Sequence, residues 1–149
     1  MTRRQMMGGM AAAFSAPLFA FDRPLGVQVY TVRSQLPTKG DATLRAIAAI
    51  GYKEVEIGLD DAKKFAAVLK ETGLRATGSH IEPDPSHRPQ KLDEFIGQAK
   101  ELGIPAIGVA YVTPGQRKDP AEFWPRFVET LNWSGERCAK AGLTFYYHH

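Results

Sequence analysis

The sequence predicts an α/β fold, a parallel (β/α) barrel that is incomplete, with about five strands and four helices. Three observations carry this prediction. Strand-like runs alternate strictly with runs at helical spacing, a glycine stands at each helix-to-strand joint, and one face of each predicted strand is small or polar. Strict alternation requires parallel strands joined by crossover helices. With 149 residues, of which 44% are apolar and 23% charged, the chain has the composition of an ordinary globular protein.

The first element in the chain, residues 1–20, is predicted to be an export signal outside the fold. A basic pair, Arg3 and Arg4, precedes an uncharged run over 6–20 that is too short to span a bilayer comfortably. The pair and its neighbours are typical of a twin-arginine signal, and a general secretory leader is the alternative. We therefore expect a periplasmic or secreted protein without a stable membrane anchor, whose folded domain covers 21–149.

The following elements are separated by glycines that predict helix ends. These are Gly51, Gly73, Gly103 and Gly142. A glycine after an apolar run at helical spacing indicates a left-handed C-terminal residue. The strands are accordingly predicted over 25–31, 52–58, 74–81, 104–111 and 143–148, with a helix before each later strand. Asp119 and Pro120 signal the start of the last helix, but Pro125 predicts that its long part begins only near that proline.

Side-chain alternation favours a barrel over an open sheet. In the second strand Val55 and Ile57 share one face, and Glu54, Glu56 and Gly58 share the other. An open sheet with helices on both sides needs two apolar faces, whereas a barrel needs only an apolar outside. A complete TIM barrel takes about 250 residues and eight strands. The chain is therefore expected to be truncated, and a half-barrel that completes itself as a homodimer is the alternative.

Charge and cysteine usage exclude some partners. The net charge is +3, but without Arg3 and Arg4 the chain has 17 basic against 16 acidic side chains. A body this close to neutral gives no electrostatic case for binding nucleic acid or an anionic membrane. The one cysteine, Cys138, is predicted to pack among helix residues, and no spacing typical of structural zinc is present.

Four segments together resemble the sugar phosphate isomerase/epimerase family of xylose isomerase-like TIM barrels. They are Leu-Gly-Val-Gln-Val-Tyr-Thr-Val-Arg at 25–33, Ile-Gly-Tyr-Lys-Glu-Val-Glu at 50–56, Gly-Ser-His at 78–80 and Ala-Lys-Ala-Gly-Leu-Thr-Phe-Tyr-Tyr-His-His at 139–149. The resemblance covers the amino-terminal part of such a barrel. It implies a small carbohydrate substrate, proton transfer at the carbon beside a carbonyl, and a divalent metal ion (Mn, Mg, Zn or Co).

The resemblance also implies where a metal ligand falls. Relatives hold the metal with Glu, Asp, His and Glu from the later strands, and only the first of these positions lies within this chain, at about His148. That position departs from the family's Glu, so a metal site built from these residues alone is in doubt. His149 is adjacent on the strand and faces the opposite way, which leaves His148 as the metal candidate.

The other candidate site residues are those near the carboxyl ends of the predicted strands, because active sites in such barrels lie at these ends. Glu56 and His80 are the catalytic candidates. The structural alternatives are an ion pair within the barrel for Glu56 and a loop hydrogen bond for His80. Gln28, Tyr30 and Tyr111 are the substrate-binding candidates. A structural hydrogen bond to a neighbouring strand is the alternative for Gln28, and strand alternation places Tyr111 on the outer face.

Three function classes follow from this sequence. The first is an exported sugar isomerase or epimerase. The second is a non-catalytic carbohydrate-binding or degenerate barrel, and the third is a metal-dependent endonuclease of the same barrel superfamily, against which the near-neutral body and four histidines argue. The proline-rich loop at 82–89 is predicted to be either a lid over the site or a stiff connector.

Overall fold

A computed structural model describes residues 23–81 and 89–148, and the side chain of Pro89 is outside that description. The predicted export signal at 1–20, the loop at 82–88 and His149 lie outside the described residues. The strands are β1 (Gly26–Gln28), β2 (Glu54–Glu56), β3 (Arg75–Ile81), β4 (Ala106–Val109) and β5 (Thr144–Tyr147). The helices are α1 (Leu36–Ile50), α2 (Leu59–Lys64), α3 (Ala66–Thr72), α4 (Pro89–Glu101) and α5 (Pro120–Lys140).

The five strands form one parallel sheet in the order β1-β2-β3-β4-β5. Every strand therefore pairs with its neighbours along the chain. Right-handed crossovers between strands in sequential order place all the helices on one side of the sheet, as in a barrel, whereas a doubly wound sheet reverses its order. The predicted α/β class and its strand count are confirmed. Within 23–81 and 89–148, no helix is long and apolar enough to cross a membrane.

The helix-facing side of the sheet carries the apolar core. Val55, Ile57, Ile107 and Val109, which alternation places on this face, are each at most 3% exposed. The first three belong to one cluster with fully buried helix residues such as Leu44 and Leu92, and Val109 packs in a second cluster with Phe127. Burial of these side chains from water stabilises the sheet and helix layers against each other. The other face is left free for polar side chains.

The four predicted helix-ending glycines all have positive φ. Their φ angles are 115° at Gly51, 71° at Gly73, 69° at Gly103 and 83° at Gly142. Side chains other than glycine rarely adopt this region, so the sequence pattern identified the helix ends correctly.

Three expectations about the elements are wrong. The first strand is shorter than 25–31, because Val29–Val32 forms a 3-10 turn that takes Tyr30 out of the sheet. The second predicted helix is divided into α2 and α3 at Phe65. Pro125 does not delay the long helix, since α5 runs without a break from Pro120. A proline this near the N-terminus removes only one helical hydrogen bond, and Asp119 caps the helix by accepting from the Glu122 amide at 3.2 Å.

An irregularity between β2 and β3 determines which way side chains point near the site. The register shifts between Val55 and Glu56, so that Val55 pairs with Ala76 but Glu56 pairs with Gly78. Ala76 packs against the apolar core, whereas unbroken alternation along β3 would place it on the same face as His80. Beyond the shift, Glu56 and His80 lie on the same polar face.

Candidate active site

The candidate site is built around the carboxylate of Glu56, at the end of β2. Gln28 Nε2 donates to Glu56 Oε1 at 2.6 Å, and the hydroxyl of Tyr146 donates to Glu56 Oε2 at 3.2 Å. His80 Nε2 lies 3.2 Å from Glu56 Oε1. The four side chains come from β1, β2, β3 and β5, and they meet on the inner face of the sheet. A half-buried carboxylate held by hydrogen bonds from two partners, Gln28 and Tyr146, has a defined orientation.

The contacts of Gln28 assign the tautomer of His80. An ionised carboxylate only accepts hydrogen bonds, so the amide nitrogen of Gln28 must face Glu56. The same nitrogen is 3.4 Å from His80 Nδ1, which can then serve as the acceptor of its second hydrogen. We therefore assign the ring hydrogen to Nε2. That atom is buried and lies 3.2 Å from Glu56 Oε1, but among the described residues it makes no hydrogen bond of good geometry.

Burial lowers the pKa of His80 below its ordinary value of 6.5. The charge of Glu56 opposes this shift, and His148 adds to it. The imidazole is therefore neutral at neutral pH, and it can donate a proton from Nε2. Burial, together with the charge and hydrogen bond of Glu56, raises the pKa of Tyr146 well above its usual range, so its hydroxyl stays protonated.

A cavity of about 210 Å³ opens beside these groups at the carboxyl ends of β1 and β2. Its polar lining includes Gln28, Glu56, His80, Arg33 and Asp61. A larger cavity of about 400 Å³ is lined by Arg75, Leu102 and Pro105, near the amino ends of β3 and β4. Since barrel chemistry occurs at the carboxyl ends of the strands, we take the smaller cavity as the candidate substrate site.

The structure brings four of the predicted site residues into contact. Tyr30 lines the same cavity as three of them, and Tyr111 lies apart. Gln28, Glu56 and His80 are in contact, and the exposed ring of His148 packs edge-on against His80 with centroids 5.7 Å apart. Tyr30 is 63% exposed on the 3-10 turn, where its ring is stacked under Arg33 at the rim of the cavity.

Tyr111 lies farthest from the predicted arrangement. It is 60% exposed beyond the end of β4, and none of the described contacts joins it to Glu56 or His80. Its predicted phase was already that of the outer face, and the strand ends before it. The roles assigned to all six residues from the sequence remain predictions.

Tyr146 is the site residue that the sequence did not single out. Alternation along β5 places it on the inner face, but no sequence pattern marks its hydroxyl as a partner of Glu56 across two intervening strands. The available signal was the glycine at the inner positions of the two intervening strands, Gly78 and Gly108, which leaves room for a large side chain.

The divalent metal ion that the family resemblance implies would need several ligands near His148. Within 23–81 and 89–148, no group of three or more His, Cys, Asp or Glu side chains is arranged to hold a metal ion. Both oxygens of Glu56 already accept hydrogen bonds, and the described contacts pair His148 only with the ring of His80. The described residues therefore do not form a metal site by themselves, and the metal role of His148 remains a prediction.

The sequential order of the parallel strands and the polar cluster at their ends are those of part of a parallel α/β barrel. Among solved structures, the chain is similar to a sugar phosphate isomerase/epimerase from Parabacteroides distasonis, with 25% identity and a TM-score of 0.62 over 89% of this chain and 53% of that one. It is also similar to a xylose isomerase domain protein from Planctomyces limnophilus, with 16% identity and a TM-score of 0.54 over 83% and 53% of the two chains.

A third similar structure is the probable 3-DHS dehydratase AsbF from Bacillus anthracis, involved in petrobactin synthesis, with 14% identity and a TM-score of 0.63 over 84% of this chain and 52% of that one. The chain spans about half the length of the solved structures it matches. No family model matches the sequence, and no curated protein does. The predicted resemblance to part of a xylose isomerase-like barrel is confirmed by these structures.

Proposed function

We propose that this chain is part of a sugar isomerase or epimerase that transfers a proton at the carbon beside the carbonyl of a small carbohydrate. One observation carries the proposal. A carboxylate and a neutral imidazole, Glu56 and His80, lie 3.2 Å apart and line the same cavity at the carboxyl ends of the strands. Paired groups of this kind are suited to acid–base catalysis. The similarity to a sugar phosphate isomerase/epimerase supports the substrate class.

The chemistry can be written with the residues of this chain. Glu56 Oε1 removes the proton from the carbon beside the carbonyl, and the C–H electron pair becomes the C=C bond of an enediol. The carbonyl π pair moves to oxygen, which takes a hydrogen bond or a proton from His80 Nε2. In isomerisation, Glu56 returns the proton to the former carbonyl carbon while the hydroxyl of the other carbon gives its proton to His80, which forms the new carbonyl and restores both residues. In epimerisation, a solvent proton adds to the opposite face of the original carbon, Glu56 releases its proton to solvent, and the enediol oxygen returns its proton to His80. Gln28 holds the base during both steps.

The test is hydrogen exchange from heavy water. The full chain is incubated in D₂O with a panel of aldoses, ketoses and their phosphates, and deuterium at the carbon beside the carbonyl is followed by NMR. We expect exchange with at least one sugar. Glu56→Gln should slow it about 10²- to 10⁴-fold, because the variant has no base at this position.

Glu54→Gln is the matched control, since Glu54 lies on the same strand but forms an ion pair with Arg75. It should exchange like the unmodified chain. Sugar binding without exchange would contradict the proposal and favour a non-catalytic carbohydrate-binding barrel. Cleavage of a phosphodiester by the same preparation would favour the endonuclease class.

We also propose that the protein is exported through the pair Arg3 and Arg4. This proposal rests on the sequence of residues 1–20. Changing both arginines to lysine preserves the charge but removes the guanidinium pair. We expect this variant to stay in the cytoplasm, as measured by cell fractionation. Unchanged export would indicate the general secretory route.

A further inference from the structure

The side chain of Tyr146 crosses two strands to reach the catalytic carboxylate. It begins on β5 and passes over β4 and β3 before its hydroxyl meets Glu56 on β2. A Cβ atom on Gly108 would lie 2.6 Å from Cγ and Cδ2 of Tyr146, and one on Gly78 would lie 3.3 Å from its hydroxyl. The ring therefore rests directly on the backbone at two glycines. Any other residue at Gly108 would occupy its place.

The two oxygens of Glu56 have different surroundings. Oε2 accepts from Tyr146, whereas Oε1 accepts from Gln28 and faces His80. Glu56, Gln28 and His80 line the candidate substrate cavity, but Tyr146 does not. Tyr146 therefore contacts the carboxylate from the side away from the substrate.

We propose that Tyr146 is a positioning residue that fixes the carboxylate of Glu56 so that Oε1 faces the substrate and His80. The role rests on the proposed function, because it concerns the same base. Without the Tyr146 hydroxyl, rotation about the last side-chain bond of Glu56 is no longer limited at Oε2. The fraction of molecules with the base in its productive orientation then falls.

The kinetic test compares two changes on the same strand. Tyr146→Phe removes the hydroxyl and keeps the ring on its glycines. Tyr147→Phe is the matched control, because Tyr147 lies on the opposite face, where its ring packs against Phe127 at 5.4 Å. In the heavy-water assay, Tyr146→Phe should lower kcat about tenfold or more, since the lost hydrogen bond is to the charged base. KM should stay within about twofold, because Tyr146 itself does not line the cavity. Tyr147→Phe should change neither.

Equal kcat values for the two variants, or a loss confined to KM, would overturn the proposal. Gly78→Ala provides a second variant with the hydroxyl present. Its Cβ would lie 3.3 Å from the Tyr146 hydroxyl and 3.4 Å from Glu56 Cγ, so it should displace both groups by a few tenths of an ångström. A smaller loss in kcat in the same direction is expected.

A spectroscopic measurement separates this proposal from the proposed function. The ¹³Cδ resonance of Glu56, assigned by its loss in Glu56→Gln, is recorded at neutral pH in the full chain. It should move in Tyr146→Phe and stay in place in Tyr147→Phe. An unmoved resonance in Tyr146→Phe rejects the positioning role whatever the activity. Absence of exchange in the unmodified chain rejects the isomerase function, while the resonance still shows whether Tyr146 holds the carboxylate.

Discussion

The two faces of the five-stranded sheet are held in place by different forces. The outer face carries β-branched side chains that are buried against helices, and their contacts are many and non-directional. The inner face carries polar groups that meet through a few directed hydrogen bonds centred on Glu56. Adjacent residues of one strand, Ile107 and Gly108, belong to opposite faces. A strand that carries both kinds of residue must therefore satisfy both environments at once.

The outer face contributes most of the stability of the sheet, and the inner face sets the geometry of the hydrogen-bonded cluster around Glu56. Apolar burial grows with area and tolerates a similar side chain in place of the original. A hydrogen-bonded carboxylate tolerates no loss of a partner without a change in its orientation. A substitution on the outer face should therefore change mainly the free energy of unfolding, whereas one on the inner face should also change the exchange reaction or the pKa of His80.

The largest effect on stability is expected from the outer face. Ile107 is 0% exposed, so Ile107→Ala should lower the free energy of unfolding by about 2–5 kcal/mol, because it leaves a cavity in the core. Urea unfolding measures this. The control is Ile50→Ala, the same change at a side chain that is 75% exposed, for which a change within about 0.5 kcal/mol is expected. Equal losses would show that the sheet is not packed against helices at Ile107.

A smaller loss is expected from the neighbouring position on the inner face. Gly108→Ala would place a Cβ 2.3 Å from the carbonyl oxygen of Tyr146, so the variant must shift β5 or the tyrosine ring. Such overpacking costs about 1–3 kcal/mol. Gly97→Ala on α4 is the control, because nothing lies within 4 Å of its added Cβ, and it should raise stability by about 0.5–1 kcal/mol. Gly108→Ala should also slow the exchange reaction, and stabilisation by this change would refute the ring placement.

The third effect depends on pH. Because burial lowers the pKa of His80 below 6.5, the unfolded chain binds more protons at this residue than the folded chain does. The contribution of neutral His80 to the free energy of unfolding is complete above pH 6.5, and it is lost as the pH falls from 6.5 through the lower pKa of His80 in the folded chain. His80→Gln should therefore lose less stability than the unmodified chain between about pH 7 and about pH 5.5. Parallel urea curves for both proteins at the two pH values would contradict this.

The smallest effect concerns the edge-on contact of two histidines. His148 lowers the pKa of His80, so His148→Asn should raise that pKa modestly, as followed by the ring resonances in NMR. Glu56→Gln should shift the pKa of His80 in the opposite direction, because the charge of Glu56 raises it. Two shifts of the same sign would mean that the three side chains are not arranged around His80 as described.

The sequence predicted the outer face and the helix ends well because both follow from local rules. Alternation placed Val55 and Ile57 against helices, and glycine marked each helix end. Tyr30 was misplaced because the choice between a strand and a 3-10 turn over four residues depends on tertiary contacts. Tyr146 was missed as a partner of Glu56 because their contact joins residues 90 apart in sequence. No local pattern reports a contact that crosses two intervening strands.

The sequential order of the strands has a consequence for how the chain is made. Among the five described strands, each strand after the first lies beside the one synthesised just before it. A nascent polypeptide can therefore extend its sheet one unit at a time as it leaves the ribosome, with each completed unit serving as the template for the next. Glu56 receives Gln28 and His80 early in this process. The hydrogen bond between Glu56 and Tyr146 forms later, because it requires β5 to have joined the sheet.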